Sequence, residues 1–251
     1  HDALPICGHH VHQDEDVLDT WFSSQLWTFA TQGWPDHPEQ LEGHHPTQVL
    51  VTARDIIALW VARMIMSSLY FTKEIPFHDV YIYATILAKD GSRMSKSKGN
   101  GVDPMDLIAK YGADAMRYNL LTLITNNQDV KFDAVLDKKT RELIESPRTD
   151  QARSFVTKIW NASRFVQMNL DGYTAGMPKA ETPEDAWMFS RLAKVVAETT
   201  EQLETYGFGE YARNIQSFFW NDVCDWYIEL CKGRLLDGTP DQRLQVQRNL
   251  V

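Results

Sequence analysis

The chain has 251 residues, 43% of them hydrophobic and eight of them tryptophan, enough to bury a substantial core in one large or two smaller domains. Its 25 basic and 34 acidic residues leave a net charge of −9, which excludes indiscriminate nucleic-acid binding but not RNA held on a local basic patch. Three cysteines, at positions 7, 224 and 231, make no disulfide framework, and there is neither a signal-peptide pattern nor an uninterrupted apolar run of membrane-spanning length, so a reducing cytoplasm without membrane attachment is expected.

In chain order, residues 1–46 are rich in His and Pro, with Gly33-Trp34-Pro35-Asp36 and Gly43-His44-His45-Pro46 as loop punctuation. Residues 47–52 read as a buried strand, 55–71 as a largely apolar helix and 80–87 as a second strand. Strand, helix, strand with short connections predicts a parallel pair, whose carboxyl ends are the usual ligand side of an open sheet. Asp103 is placed as the N-cap of a helix with Pro104 in its first turn, and Gly112 after Tyr111 as its C-terminal stop. After Asp133 the strand signals cease. Residues 138–145 read as a helix, Pro147 interrupts, 151–170 resume with apolar residues on one face, and 172–182 form a loop. Helices are predicted at 183–206, 208–235 and 241 to the end, forming an antiparallel bundle. Cys224 and Cys231 fall on one helix face, which points to packing rather than metal.

The segment Arg93-Met94-Ser95-Lys96-Ser97-Lys98-Gly99-Asn100 stands out, because it gathers cations, hydroxyls and a glycine turn in an acidic chain. Ammonium groups supply point charges, while hydroxyls and glycine-freed amides add hydrogen bonds, a combination suited to a polyphosphate. Taken alone, such a turn is usually a solvated surface loop. Here it stands between a predicted strand and a capped helix.

Arg93 to Ser97 resembles the Lys-Met-Ser-Lys-Ser signature of class I aminoacyl-tRNA synthetases, and Lys98-Gly99-Asn100-Gly101-Val102-Asp103-Pro104 with Tyr111-Gly112-Ala113-Asp114 resembles the valyl branch of that family. The block Asp19-Thr20-Trp21-Phe22-Ser23-Ser24, the run from Asp55 to Ile65 and Trp160-Asn161-Ala162-Ser163-Arg164-Phe165 follow the same order, so the resemblance covers about residues 13–235. It implies an α/β part followed by an all-α part. These are the C-terminal half of a Rossmann-like class I synthetase catalytic domain at 1–135, with the signature loop, and part of an antiparallel helical bundle of the anticodon-binding type at 136–251. It also implies the activity: valine and ATP, the latter with Mg2+, give valyl-adenylate, and the valyl group passes to valine-specific tRNA. Lys96 is then the catalytic cation that meets charge growing toward pyrophosphate. Ala53, Asp55, Arg93, Met94, Ser95, Lys96, Ser97 and Lys98 are the implied ATP-binding residues, and Trp21, Ile56 and Trp60 the walls of the valine pocket. The other six tryptophans are read as core. Asp55 has a structural alternative as N-cap of a helix beginning at Ile56.

The chain departs from the family pattern in several places. No His-x-Gly-His tetrapeptide and no editing insertion is present, so the sequence reads as an internal or truncated segment, inactive alone, whose partner is the missing N-terminal half. Ala53 replaces a glycine of the family, and Tyr83-Ala84 replaces His-Gly; each added methyl narrows the approach of backbone to nucleotide. Cys7 lacks a paired cysteine, and His9, His10 and His12 match no standard zinc spacing, so zinc is not expected. Two alternatives stay open: a tRNA-binding helical module with a vestigial catalytic half, and an isoleucyl- or leucyl-type synthetase segment.

Overall fold

The structure, a computed structural model, describes residues 14–95, 97–125, 128–137 and 139–251. It divides into two compact units, with the boundary between Tyr83 and Ala84.

The first unit opens with α1 (Thr20–Ser24), whose N-cap Asp19 accepts from the Trp21 amide, followed by α2 (Trp27–Ala30). Strands β1 (Thr47–Ala53) and β2 (Phe77–Tyr83) pair in parallel, in register from Thr47 opposite Phe77 to Ala53 opposite Tyr83, as the strand–helix–strand order predicts. The connecting helix is less regular than its apolar sequence suggests. A tight turn at Arg54–Ile56 widens to i→i+5 geometry over Ile57–Val61 before α3 (Ala62–Phe71) becomes regular. Val61, Met64 and Phe77 form the core, with Leu50, Trp60 and Ile65 packed against it. Beside it Phe29 meets the rings of Trp34 and Phe71, and buried His45 places Nδ1 3.2 Å from the Thr28 carbonyl and Nε2 3.2 Å from Ser68 Oγ. The expectation of a buried first strand is corrected. Only Thr52 of β1 is buried, while Val49, Val51, Val80 and Ile82 are exposed. A continuous apolar run reports a strand suited to cover on both faces, and among the described residues this two-stranded sheet receives much less.

In the second unit the predicted strand 80–87 proves to be two. At Thr85 the chain leaves its first partner: the Thr85 amide donates to Asp129 and its carbonyl accepts from Val130, so β3 (Ile86–Leu87) pairs in parallel with β4 (Val130–Lys131). Helix α4 (Pro104–Tyr111) begins and ends as its sequence predicts, with the Asp103 carboxylate accepting from the Met105 amide and Gly112 at φ +91°. Gly112 leads straight into α5 (Ala113–Leu123), and Leu107, Tyr111, Ala115, Leu123, Phe132, Ala134 and Ala152 close a core around these helices.

The helix predicted at 138–145 is not formed. Strands β5 (Val135–Leu136) and β6 (Leu143–Glu145) make an antiparallel hairpin instead. Asp137 builds its turn by accepting from the amides of Lys139 and Thr140, and Arg141 closes it at φ +64°. Those side-chain-to-backbone bonds offer the chain an alternative that outcompetes the weak helical pattern. Pro147 opens α6 (Pro147–Met168) rather than interrupting it, since its missing N–H costs nothing in a first turn.

Helix α7 (Pro183–Glu204) runs antiparallel to the long helical segment that follows it. Arg191 pairs with Asp222, and Asp185, near the start of α7, meets Tyr227 and Arg234 far along that segment. The segment comprises α8 (Phe208–Ser217), a widened stretch at Phe218–Tyr227, α9 (Ile228–Lys232) and a second widened turn at Gly233–Asp237. Met188, Tyr227, Cys231, Leu235 and Val246 form its core with α10 (Pro240–Leu250). Cys224 and Cys231 are both buried, and burial pushes the Cys231 thiol up to about 11, in keeping with packing. The reading of six tryptophans as core is corrected: Trp27, Trp160, Trp187 and Trp226 are exposed, while Trp34 and Trp220 pack on aromatic neighbours. Tryptophan is as well suited to half-wet surfaces as to interiors.

Gly209, in the first turn of α8, is buried with its Cα facing the Ile124 backbone, and an added Cβ would run into the Ile124 carbonyl oxygen. Backbone cannot rotate away as a side chain can. Gly209→Ala is therefore expected to lower unfolding free energy by about 1–3 kcal/mol, read as a drop in urea midpoint at unchanged slope.

Candidate active site

The residues that sequence reasoning assigned to a site fall into two groups, one in each compact unit. In the first unit, Ala53 ends β1 at φ −85°, ψ 148°, an extended conformation open to any residue, so alanine there strains no backbone. Asp55 lies exposed within the tight turn at Arg54–Ile56. The N-cap positions of that turn and of the widened turn after it fall to Ala53 and Ile56, so Asp55 does not stand as the N-cap of a helix beginning at Ile56.

Trp60 sits in the widened turn, and its indole Nε1 donates to the Ser24 carbonyl at 3.0 Å. That bond reaches across 36 residues of sequence and fixes the ring against α1, the helix that carries Trp21. Trp21, Ile56 and Trp60 are all half-buried, presenting apolar surface without being sealed into the core. Inserted i→i+5 turns recur at functional sites, since they re-aim a side chain that a regular helix would bury or misdirect.

In the second unit the signature loop hangs from β3. Leu87 bridges to Arg93, and the Ala88 amide donates to the Ser92 carbonyl. Asp90 accepts from the Ser92 hydroxyl at 2.7 Å and the Ser92 amide at 2.9 Å; these bonds, with a smaller contribution from the charge of Lys98, hold its carboxyl below the usual range. Met94 is the loop's anchor, packed against the core of α4 and α5. Asn100 is its brace: Oδ1 accepts from the Ser95 amide at 2.9 Å, while Nδ2 donates to Ser92 Oγ and the Arg93 carbonyl. Ser95 Oγ lies 3.2 Å from Ser97 Oγ and accepts from the Lys98 amide. Gly99 takes φ +58°, which closes the turn without the penalty a Cβ would bring. Arg93, Ser97 and Lys98 are exposed at the loop surface. Lys96 lies outside the described residues. Sequence reasoning gave Asn100 no role; an amide side chain next to a turn glycine is the signal that points to such bracing.

Among the described residues no three His, Cys, Asp or Glu side chains converge to hold a metal ion; Cys7, His9, His10 and His12 lie outside them. Nor is any described helix long and apolar enough to cross a membrane.

A family model for class I tRNA synthetases (I, L, M and V) matches residues 2–133, and one for the anticodon-binding domain of tRNA ligases matches 185–251. The chain belongs to the class I tRNA synthetase family of the isoleucine, leucine, methionine and valine group. Within that group it is similar to the valine–tRNA ligase of Carboxydothermus hydrogenoformans, 49% identical over 92% of this chain and 25% of the relative, and to that of Synechocystis sp., 48% identical over 90% and 25%. The chain thus spans about a quarter of the length of the curated relatives it matches. In fold it is similar to a leucyl-tRNA synthetase of Agrobacterium radiobacter solved as a ternary complex with tRNA and LeuAMS, at TM-score 0.74 and 20% identity over 98% of this chain and 31% of that one. The α/β part followed by helices that the sequence predicts is the fold of this family.

Proposed function

We propose that the chain is the part of a valine–tRNA ligase that carries the signature loop, the valine-pocket residues Trp21, Ile56 and Trp60 and the start of the anticodon-binding helices. Its reaction is ATP-dependent formation of valyl-adenylate, followed by transfer of the valyl group to valine-specific tRNA in the cytoplasm. The observation that carries this reading is the loop at 93–100, rich in cations and braced by Asn100, in a chain 49% identical to a valine–tRNA ligase over 92% of its length.

The chemistry requires no covalent enzyme intermediate. The valine carboxylate attacks the α-phosphate in line, and negative charge develops toward the leaving pyrophosphate. Lys96 is the donor assigned to that charge, with Arg93, Ser95, Ser97 and Lys98 holding the phosphate chain and Met94 anchoring the loop. Ala53 and Asp55, at the carboxyl end of β1, are assigned to the nucleoside side of ATP. Trp21, Ile56 and Trp60 form apolar walls for the valine side chain. Such walls reject the longer isoleucine but discriminate only about a hundredfold against isosteric threonine. ATP enters with Mg2+ carried on its phosphates, the usual arrangement for this ion, and no step is assigned to protein ligands of the metal.

A chimera tests the reading. In it, this chain replaces the matched segment of the Carboxydothermus hydrogenoformans relative. ATP–pyrophosphate exchange that depends on valine, and runs at least tenfold slower with isoleucine or leucine, is the expected result. A folded chimera that binds tRNA without valine-dependent exchange supports the vestigial tRNA-binding module instead, and one that prefers isoleucine or leucine assigns the segment to that branch.

A further inference from the structure

The hairpin β5–β6 has no part in the reading above, yet it delivers a cation to the signature loop. Its base is pinned on several sides. Lys110 of α4 donates to the Ile144 carbonyl, the Ser146 amide donates to Tyr111 Oη at 2.9 Å, and Asp133 accepts from Ser146 Oγ and the Arg148 amide. At its tip Arg141 holds φ +64°, a conformation that costs a residue with a side chain and that the turn around Asp137 enforces. The guanidinium lies against Gly99: a Cβ built on that glycine would stand 3.5 Å from Arg141 Nε and 3.7 Å from Cζ and Nη2.

Charge makes the juxtaposition informative. Arg141 is exposed, and among the described residues its guanidinium has no ion pair or side-chain hydrogen bond. The two carboxylates of its own turn are engaged elsewhere, Asp137 by the Lys139 and Thr140 amides and Glu142 by the Thr140 hydroxyl. Gly99 directly follows Lys98 of the loop, whose charge Asp90 feels. Bringing an unpaired guanidinium to a loop already rich in cations is unfavourable unless an anion joins them.

We propose that Arg141 is a further ligand for the phosphate chain at the signature loop, its planar fork gripping two phosphate oxygens. This role rests on the loop's assignment to phosphate binding. The shared chemistry is a diphosphate unit, which is supplied either by free pyrophosphate or by the β- and γ-phosphates of a nucleotide.

Calorimetric titration of the chimera described above with inorganic pyrophosphate, and separately with ATP, tests the role in the parent and in Arg141→Gln, Arg141→Gly and Lys98→Ala. Arg141→Gln is expected to weaken binding roughly 5- to 20-fold, the loss of a charge-assisted hydrogen-bonded pair at an exposed site. Arg141→Gly is expected to weaken it as much while thermal stability holds or rises, because glycine adopts the positive φ freely. Binding within twofold of the parent in both Arg141 variants, while Lys98→Ala weakens it, overturns the proposal and leaves the loop's assignment standing. Affinity and melting temperature that fall together in both Arg141 variants make the residue a brace and overturn the proposal too. A folded parent that binds neither ligand overturns both. Weakening confined to one of the two ligands supports the proposal and identifies the source of the diphosphate.

Discussion

Replacing Lys96 by alanine is expected to slow valyl-adenylate formation about 10²- to 10³-fold in the chimera described above, with KM for valine changed less than about threefold. The reason is where the charge appears. Ground-state ATP already has its phosphates solvated and cation-bound, whereas the charge that moves onto the β-phosphate as the α–β bond breaks exists only on the way to the transition state. A donor aimed at that developing charge therefore acts on turnover and not on substrate affinity. Loss of one such donor typically costs about 3–4 kcal/mol. Lys96→Arg is expected to recover part of the rate, since charge is kept while the compact ammonium becomes a wider fork. Single-turnover measurement of adenylate formation settles the matter. A Lys96→Ala rate within fivefold of the parent, or a loss expressed wholly in the KM for ATP, removes Lys96 from the transition state.

The largest structural effect is expected at Asp185, which the sequence does not single out. Its side chain is completely buried, yet it is charged, because Arg234 donates to both oxygens at 2.8 Å and the Tyr227 hydroxyl donates to Oδ1 at 2.8 Å. Burial works to raise the Asp185 carboxyl, but the hydrogen bonds from Arg234 and Tyr227 and the charge of Arg234 outweigh it and hold the group at about 2. Arg234 is itself mostly buried, and its Nε has no partner among the described residues. Removing the carboxylate by Asp185→Ala leaves that guanidinium only the longer contact with Glu184 at 3.6 Å, and the expected loss is about 3 kcal/mol. The sign of the pH dependence follows from the depressed value. The contribution is fully present above the ordinary aspartate pKa of about 3.9 and is lost as pH falls toward about 2. Urea unfolding measured from pH 6 to pH 2 should thus show a steeper acid loss in the parent than in Asp185→Asn. Parallel curves for the two proteins, or an Asp185→Ala loss below about 1 kcal/mol, show that the pair adds nothing net.

Elements set by local chemistry were legible before any coordinates. Asp103, Pro104 and Gly112 delimit α4 because a cap, a first-turn proline and a positive-φ stop act within a few residues of where they sit. The start of α7 at Pro183 was legible in the same way, and the strand–helix–strand order announced the pairing of β1 with β2. Where a local pattern met a long-range competitor, it lost. The apolar run 80–87 gives no sign of changing partners at Thr85, because Asp129 and Val130, which capture that residue, lie more than forty positions away. The weak helical pattern of 138–145 yields to a turn built by one aspartate and a hairpin pinned by Lys110, Tyr111 and Asp133. Four tryptophans expected inside are exposed, since hydrophobicity states what burial would gain and not whether the fold has an interior to offer.

By itself the sequence determined the family, the cationic loop and the residues assigned to it, because ordered motifs are written in consecutive positions and need no coordinates to be read. Only the tertiary structure decided that Asn100 braces that loop, that Trp60 is tied to α1 through Ser24, that Asp185 and Arg234 meet in the bundle, and that Arg141 arrives at Gly99. Each of these depends on two groups brought together by packing, and a linear pattern carries the chemistry of each group without the distance between them.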